Sequence, residues 1–430
     1  MSKASKLKEG LTEAAEKESI SEYLSSGCTL VDLCMGGGPG LMGYKRGVFH
    51  RISGVKGAGK TFLLSEIGAM ARRKYGEKAD VSIQDCENRN TFDTEELYGV
   101  PREELFSQEP PVTVEALDAD LGVWLKGVKK RHVGIYGVDL LESLTNADVE
   151  SRTEERQKKY EAGKEVVDKG SFGMQTAKFW SQEFFRTKKN ALSSTNSTCF
   201  LLSQMRENVD RKNPYSPKYK TTGGPGLDHW MDSASELKVV RQLGDKERPI
   251  GALVELKTTK LTAPRPFRKC RYIVYYSYGI DNIGSNIDYL FDLRTENGEL
   301  SATKADNIAW SGKPISLKLI KEWLVDYDEA NETDLMKEAK QAHKADCGKA
   351  TLSVDWHPTW FRNHDIPDVK QAFCYTFGDG EGVCMTRDEL IHAVESNPEM
   401  EKELEQRVIE KWESFEKEAI APLAGRRRRH

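Results

Sequence analysis

Apolar runs alternate with helical patterns along most of the first 300 residues. Short apolar runs at 48–53, 80–85, 132–138, 198–203, 235–240, 250–257 and 270–277 have the length and residue types of strands. Stretches with apolar positions at helical spacing fall at 61–75, 93–98, 114–130 and 174–192. Strands separated by helices predict an α/β fold, a mostly parallel central sheet with helices on both faces. The strands between 235 and 277 follow one another without long helices, so that edge of the sheet is expected to be antiparallel.

Outside this region the pattern changes. Residues 1–27 predict a short helical arm, with Leu7, Leu11, Ala14 and Ala15 near helical spacing. Residues 28–47 are glycine-rich and lead into the first strand of the core. After about residue 300 helical patterns appear at 315–328, 332–345, 367–376 and 386–418, the last broken near Asn397-Pro398. The expected division is an arm over 1–27, a core over 28–300, a small mainly helical domain over 301–425 and a basic tail over 426–430. Two long stretches interrupt the core. Residues 150–172 are charged, and residues 206–226 are basic and rich in Gly and Pro. Loops of this length inside a compact domain are usually functional or disordered.

Composition narrows the function classes. The 430 residues are 38% hydrophobic and 31% charged, and no apolar stretch approaches the roughly 18 residues that span a bilayer. The charged N-terminus lacks a signal-peptide apolar region, so a cytoplasmic location is expected. The 8 cysteines form no C-x-x-C pair and read as reduced thiols. A net charge of −4 argues against a basic coat, so any nucleic-acid contact must come from a local patch.

One motif stands above the rest. Gly54, Gly59, Lys60 and Thr61 satisfy G-x-x-x-x-G-K-[ST], between a strand-like run and a helix-like run. Gly54, Val55, Lys56, Gly57, Ala58, Gly59, Lys60, Thr61 and Phe62 are the candidate nucleotide-binding set. Backbone N–H groups curl around phosphate oxygens and a helix N-terminus adds its dipole. Lys60 is placed to reach the β- and γ-phosphates, and Thr61 to ligate Mg²⁺. ATP and Mg²⁺ are the expected cofactors. The bland alternative is a glycine turn before a core helix.

Four further features fall at strand ends or beside them. The strand 132–139 ends in Asp139, placed to hold a Mg²⁺-bound water or to order Thr61. The strand 81–87 ends in Asp85-Cys86-Glu87, and Glu87 is the candidate base that polarises water. The strand 200–206 carries Gln204, which can hydrogen-bond the γ-phosphate and report its loss. A solvated strand end and a surface amide are the plain alternatives. The loop that follows carries Arg206, Arg211, Lys212, Lys218 and Lys220, with Tyr215 and Tyr219 among them and Gly223, Gly224 and Gly226 as joints. Cations track phosphates while rings stack on bases. A merely solvated polar loop is the competing reading.

The ordered set GCTLVDLCMGGG, GVKGAGKT, DCEN, YGVDLLESL, LLSQMRE and TTGGPGLDHWMDSASEL resembles the RecA-type homologous recombinases. Within them it is most similar to the UvsX-like proteins of bacteriophages, over roughly residues 25–295. The resemblance implies that Glu87 is the catalytic glutamate, Gln204 the allosteric glutamine, and residues about 165–175 (with Lys169) and 206–226 the two DNA-binding loops. It implies a helical filament on single-stranded DNA that pairs it with homologous double-stranded DNA. ATP would lie between protomers, and the N-terminal arm would make protomer contacts. Lys260 matches a lysine that acts across that interface and completes the candidate catalytic set of Glu87, Lys60, Gln204 and Lys260. The companion position is Thr258, a departure, with Lys257 beside it. Thr91 and Thr94 stand where the family has its adenine-side Asp and Tyr, and Phe92 is offered as a stacking surface instead. Single-strand-binding and loader proteins are further candidate partners, and a membrane is not.

The resulting expectation is a DNA-dependent ATPase that catalyses homologous pairing and strand exchange in recombination and repair. A hexameric DNA helicase of the same fold is one rival. It would carry a large module where residues 1–27 stand, and an arginine where lysines occupy 257 and 260. A non-enzymatic nucleotide-binding scaffold is the other, opposed by intact Lys60, Thr61, Glu87 and Asp139. His343, Cys347, His357, His364, Cys374 and Cys384 are irregularly spaced and make a poor zinc set.

Overall fold

The structure, a computed structural model, describes residues 22–36, 40–162, 179–207, 219–221, 224–262, 267–306, 308–310 and 384–420. The chain forms two compact units that divide between Asn282 and Ile283.

The first unit opens with β1 (Tyr23–Leu24), α1 (Thr29–Met35) and β2 (Tyr44–Lys45), followed by β3 (Phe49–Gly54) and α2 (Lys60–Tyr75). Next come β4 (Ala79–Asp85), α3 (Thr94–Tyr98), α4 (Arg102–Leu105), α5 (Val114–Gly127), β5 (Val133–Asp139) and α6 (Ala147–Glu161). A π-helical turn over Trp180–Phe184 runs into α7 (Phe185–Thr195). Then follow β6 (Thr198–Glu207), β7 (Tyr219–Thr221), α8 (Gly224–Trp230), β8 (Ser233–Gly244), β9 (Pro249–Leu261), β10 (Lys269–Tyr275) and β11 (Gly279–Asp281).

The sheet order is β11-β10-β9-β8-β3-β6-β5-β4, with β7 added to β6. Strands β4, β5, β6, β3 and β8 are mutually parallel; β8 to β11 pair antiparallel. The expected mixed sheet is therefore present, with the antiparallel edge where it was expected. Every residue of β3 is buried, as befits a strand covered on both faces. On one face a core joins Leu117, Leu121 and Leu125 of α5 to Phe184, Phe185 and Leu192, and to Phe49, Tyr136 and Leu201 of the sheet. On the chain's other helical layer, α2 buries Leu63, Leu64 and Ile67.

Helix starts follow capping chemistry. Thr113 Oγ1 accepts from the Ala116 N–H at 3.1 Å at the start of α5, and Asp93 accepts from Glu95 and Glu96 at the start of α3. Several elements differ from the sequence expectation. Residues 147–161, which overlap the charged interruption expected over 150–172, form α6, which buries nothing and so has no apolar stripe to read. Every residue of α1 is buried, so it too lacks a helical period. Of the expected helical arm 1–27, residues 22–27 are described; Tyr23 and Leu24 form a strand paired with Lys45 and Tyr44. Residues 1–21 lie outside the described set.

In the second unit, residues 283–290 complete the helix Asn282–Leu290 (α9), followed by α10 (Ala302–Ala305) and β12 (Ile308–Ala309). Then come β13 (Cys384–Met385), which pairs antiparallel with β12, α11 (Arg387–Glu395) and α12 (Pro398–Ile420). The break expected at Asn397-Pro398 lies between α11 and α12. Thr386 and Glu389 form a reciprocal capping box at the start of α11. Buried Asp288 is ion-paired to both Arg294 and Arg387. The helix candidates 315–328, 332–345 and 367–376 lie outside the described residues. No described helix is long and apolar enough to cross a membrane.

Candidate nucleotide site and its nucleic-acid loop

The glycine loop joins the central strand β3 to the N-terminus of α2. Its glycines do different work. A Cβ on Gly54 would stand 2.8 Å from the Leu237 carbonyl oxygen on β8, so only glycine lets the two strands meet there. Gly57 and Gly59 have φ of 75° and 82°, which side chains other than hydrogen resist. Gly59 immediately precedes α2, so the first N–H groups of that helix lie at the loop. Lys60 Nζ donates to the carbonyls of Gly54 and Val55 at 3.0 and 3.1 Å. Burial lowers its pKa, while Asp139, Glu142 and Glu87 pull the other way. The Phe62 ring stacks on Phe92 at 5.1 Å, so the residue offered as a stacking surface is already paired with the first turn of α2. Val55 and Ala58 close the loop through an Ala58 N–H to Val55 carbonyl bond of 3.2 Å, and Lys56 is exposed on it.

Thr61 Oγ1 donates to Asp139 Oδ2 at 2.7 Å. Burial pushes the Asp139 carboxyl up to about 6; the Thr61 bond and Lys60 oppose this, and Asp85 and Glu87 add to it. A part-buried hydroxyl–carboxylate pair at the foot of a phosphate loop suits Mg²⁺. That ion takes one or two protein oxygens and fills its shell with phosphate and water. No group of three His, Cys, Asp or Glu among the described residues could hold a metal by itself. Of the zinc candidates only Cys384 is described, in β13; the other five lie outside.

Asp85 and Glu87 divide their labour. Asp85 is buried, accepts the N–H groups of Asn90 (3.0 Å) and Arg89 (3.4 Å), and pairs with Arg102 at 3.5 Å. It shapes the turn. Glu87 is half-buried, and its ion-pair partner is Arg89 at 3.8 Å. Thr94 is buried in the first turn of α3, beside the Asp93 cap.

Gln204 lies beside Gly54 in the β3–β6 register, one strand from the loop. Past it, Arg206 is exposed and pairs with Lys220 across β6 and β7. Gly224 opens α8. Lys169, Arg211, Lys212, Lys218 and Gly223 lie outside the described residues. Lys260 Nζ donates to the Asp228 and His229 carbonyls at 2.8 and 2.9 Å, capping the end of α8. Thr258 is buried and exchanges hydrogen bonds with the Arg268 backbone. Lys257 is exposed, so of Lys257 and Thr258 only the lysine presents a side chain outward.

Three charged residues escaped the sequence reading. Arg51, buried in β3, is ion-paired with Asp228 of α8. Glu142, on the turn Leu141–Ser143 after Asp139, accepts the Gln204 backbone N–H at 3.0 Å. A charge inside the first core strand was the available signal for Arg51, because a buried charge needs a partner.

A phosphate loop on the central strand of a mostly parallel sheet, with a Thr–Asp pair at its foot and an acid just past the end of β4, defines a P-loop α/β domain. The family model for the RecA N-terminal domain matches residues 3–281. Protein RecA of Porphyromonas gingivalis is 28% identical over 266 residues, which cover 62% of this chain and 70% of that protein. Protein RecA of Corynebacterium aurimucosum is 27% identical over 62% of this chain and 63% of its own length. Protein RecA of Fusobacterium nucleatum is 25% identical over 64% of this chain and 65% of its own. The chain belongs to the RecA family.

Proposed function

We propose that this protein is an ATP-dependent recombinase that forms a helical filament on single-stranded DNA and exchanges it into a homologous duplex. The observation that carries the reading is the 2.7 Å Thr61–Asp139 pair beneath a loop whose lysine is held ready by two backbone carbonyls. ATP binding draws the Lys60 ammonium from those carbonyls to the β- and γ-phosphates. Thr61 and Asp139 would hold Mg²⁺, which neutralises phosphate charge when bound. Glu87 orients and polarises the attacking water. Gln204 contacts the γ-phosphate and orders the loop after β6 on DNA. Lys260, freed from α8, or Lys257 reaches the nucleotide of the next protomer.

Arg206 and Lys220, paired across β6 and β7, begin the basic track along the strand. Lys169, Arg211, Lys212, Lys218, Gly223 and Gly224 belong to the same proposed DNA contact. Kinship to the phage UvsX-like recombinases, a cytoplasmic site of action and loader or single-strand-binding partners are part of this proposal.

ATP hydrolysis measured with and without single-stranded DNA tests it. Turnover stimulated by DNA, and absent in Lys60→Ala, is expected. No turnover in either condition would favour a scaffold. Rings rather than filaments by electron microscopy would favour a helicase.

A further inference from the structure

We propose that Glu142 is a positioning residue that makes DNA affinity depend on the bound nucleotide by holding the Gln204 end of β6; this rests on the function proposed above. Strand β6 pairs with β5 as far as Leu201 and with β7 from Met205 onward. Gln204 falls between these two ladders. Its N–H is satisfied by the side chain of Glu142, through Oε1 at 3.0 Å. A carboxylate thus replaces the missing strand, and the hydrogen bond is charge-assisted.

The other oxygen of the same carboxylate, Oε2, is buried and has no hydrogen-bond partner among the described residues. Native structures seldom keep such a group without a use for it. Two cations lie near enough for the Glu142 charge to favour their protonated forms, Lys60 and Arg51. Both are engaged elsewhere: Lys60 with the Gly54 and Val55 carbonyls, Arg51 with Asp228. Glu142 therefore feels the charge of the phosphate-loop lysine while its carboxylate holds the backbone of Gln204. Moving the Lys60 charge onto a triphosphate alters the field at Glu142. The carboxylate answers through its hydrogen bond to Gln204. Glu142 touches no reacting atom.

The test uses the full chain and a fluorescent single-stranded oligonucleotide, titrated with Mg²⁺ and either ADP or a non-hydrolysable ATP analogue. The readout is the ratio of the two DNA affinities. In Glu142→Ala the ratio falls about tenfold, the scale of one hydrogen bond to a charged group, while the KM for ATP changes little. Glu142→Gln keeps a carbonyl acceptor for the Gln204 N–H and restores most of the ratio. Glu142→Met, which keeps volume without an acceptor, replaces the alanine variant if that one does not fold. A wild-type ratio in the Ala or Met variant overturns the inference, and so does a glutamine variant as defective as they are. A wild-type protein with no nucleotide dependence removes the proposed function and this inference together. A dependent wild type with an unaffected Glu142→Ala removes the inference alone.

Discussion

His50 shows how a single buried side chain sets a pH dependence. Its Nε2 meets the Lys45 carbonyl at 2.7 Å and its Nδ1 meets Ser233 Oγ at 2.6 Å. A carbonyl only accepts, so Nε2 carries the proton and Nδ1 accepts from the serine. Burial lowers the His50 pKa to about 4, with the Lys45 charge helping and the carbonyl bond opposing. Unfolded, the ring titrates near 6.5. Between those values the unfolded chain binds the extra proton, so stability is full above about pH 6.5 and is lost as pH falls toward 4. The scale is about 3 kcal/mol. Thermal melts from pH 7 to pH 4.5 should fall more steeply for the wild type than for His50→Gln; equal slopes would exclude this residue as the cause. At this scale the sequence exposed Lys60, Thr61 and Asp139, because their spacing is itself the motif. It did not expose Glu142, Arg51 or Asp228, whose meaning lies in partners distant along the chain.

Element boundaries were legible where a strand or helix has two unlike faces, as for α5, or where strand length and β-branched content settle the matter, as for β4 and β5. They were illegible where burial is uniform. The buried α1 and the exposed α6 both lack a stripe, one for excess and one for want of apolar residues. The β3–α2 junction gives two contrasting predictions. Gly54→Ala forces a methyl within 2.8 Å of the Leu237 carbonyl, and backbone cannot rotate away. It should cost about 1–3 kcal/mol in melting experiments and weaken ATP binding at least about tenfold. Gly57→Ala meets open space and suffers only from its φ of 75°. It should cost about 1 kcal/mol and spare the β3–β8 ladder, which amide exchange at Leu237 would report. In the second unit, Thr386→Ala removes half of a capping box and should cost about 1 kcal/mol, read as faster amide exchange in the first turn of α11.

At the scale of the first unit, the strand before the basic stretch and the helix after it are both tied to β3. Gln204 of β6 pairs with Gly54 of β3. Asp228 of α8 is ion-paired with Arg51, also of β3. Lys260 of β9 fastens the end of that helix. Whatever shifts β3 at the phosphate loop is therefore felt at both ends of the basic excursion. The Arg51 side chain is almost fully buried, whereas 46% of the Asp228 side chain is exposed. Solvent screening thus brings the pair well below the 3–5 kcal/mol cost of breaking a buried ion pair, to about 1 kcal/mol. Asp228→Ala should keep the fold, lower the melting temperature slightly and blunt the difference between DNA affinities measured with an ATP analogue and with ADP. A double-mutant cycle with Arg51→Met then separates a working strut from two independent effects. If the strut is real, the second substitution adds little to the loss of nucleotide dependence caused by the first. Fully additive losses would show that β3 and α8 influence the loop by separate routes, and that the ion pair is a packing detail.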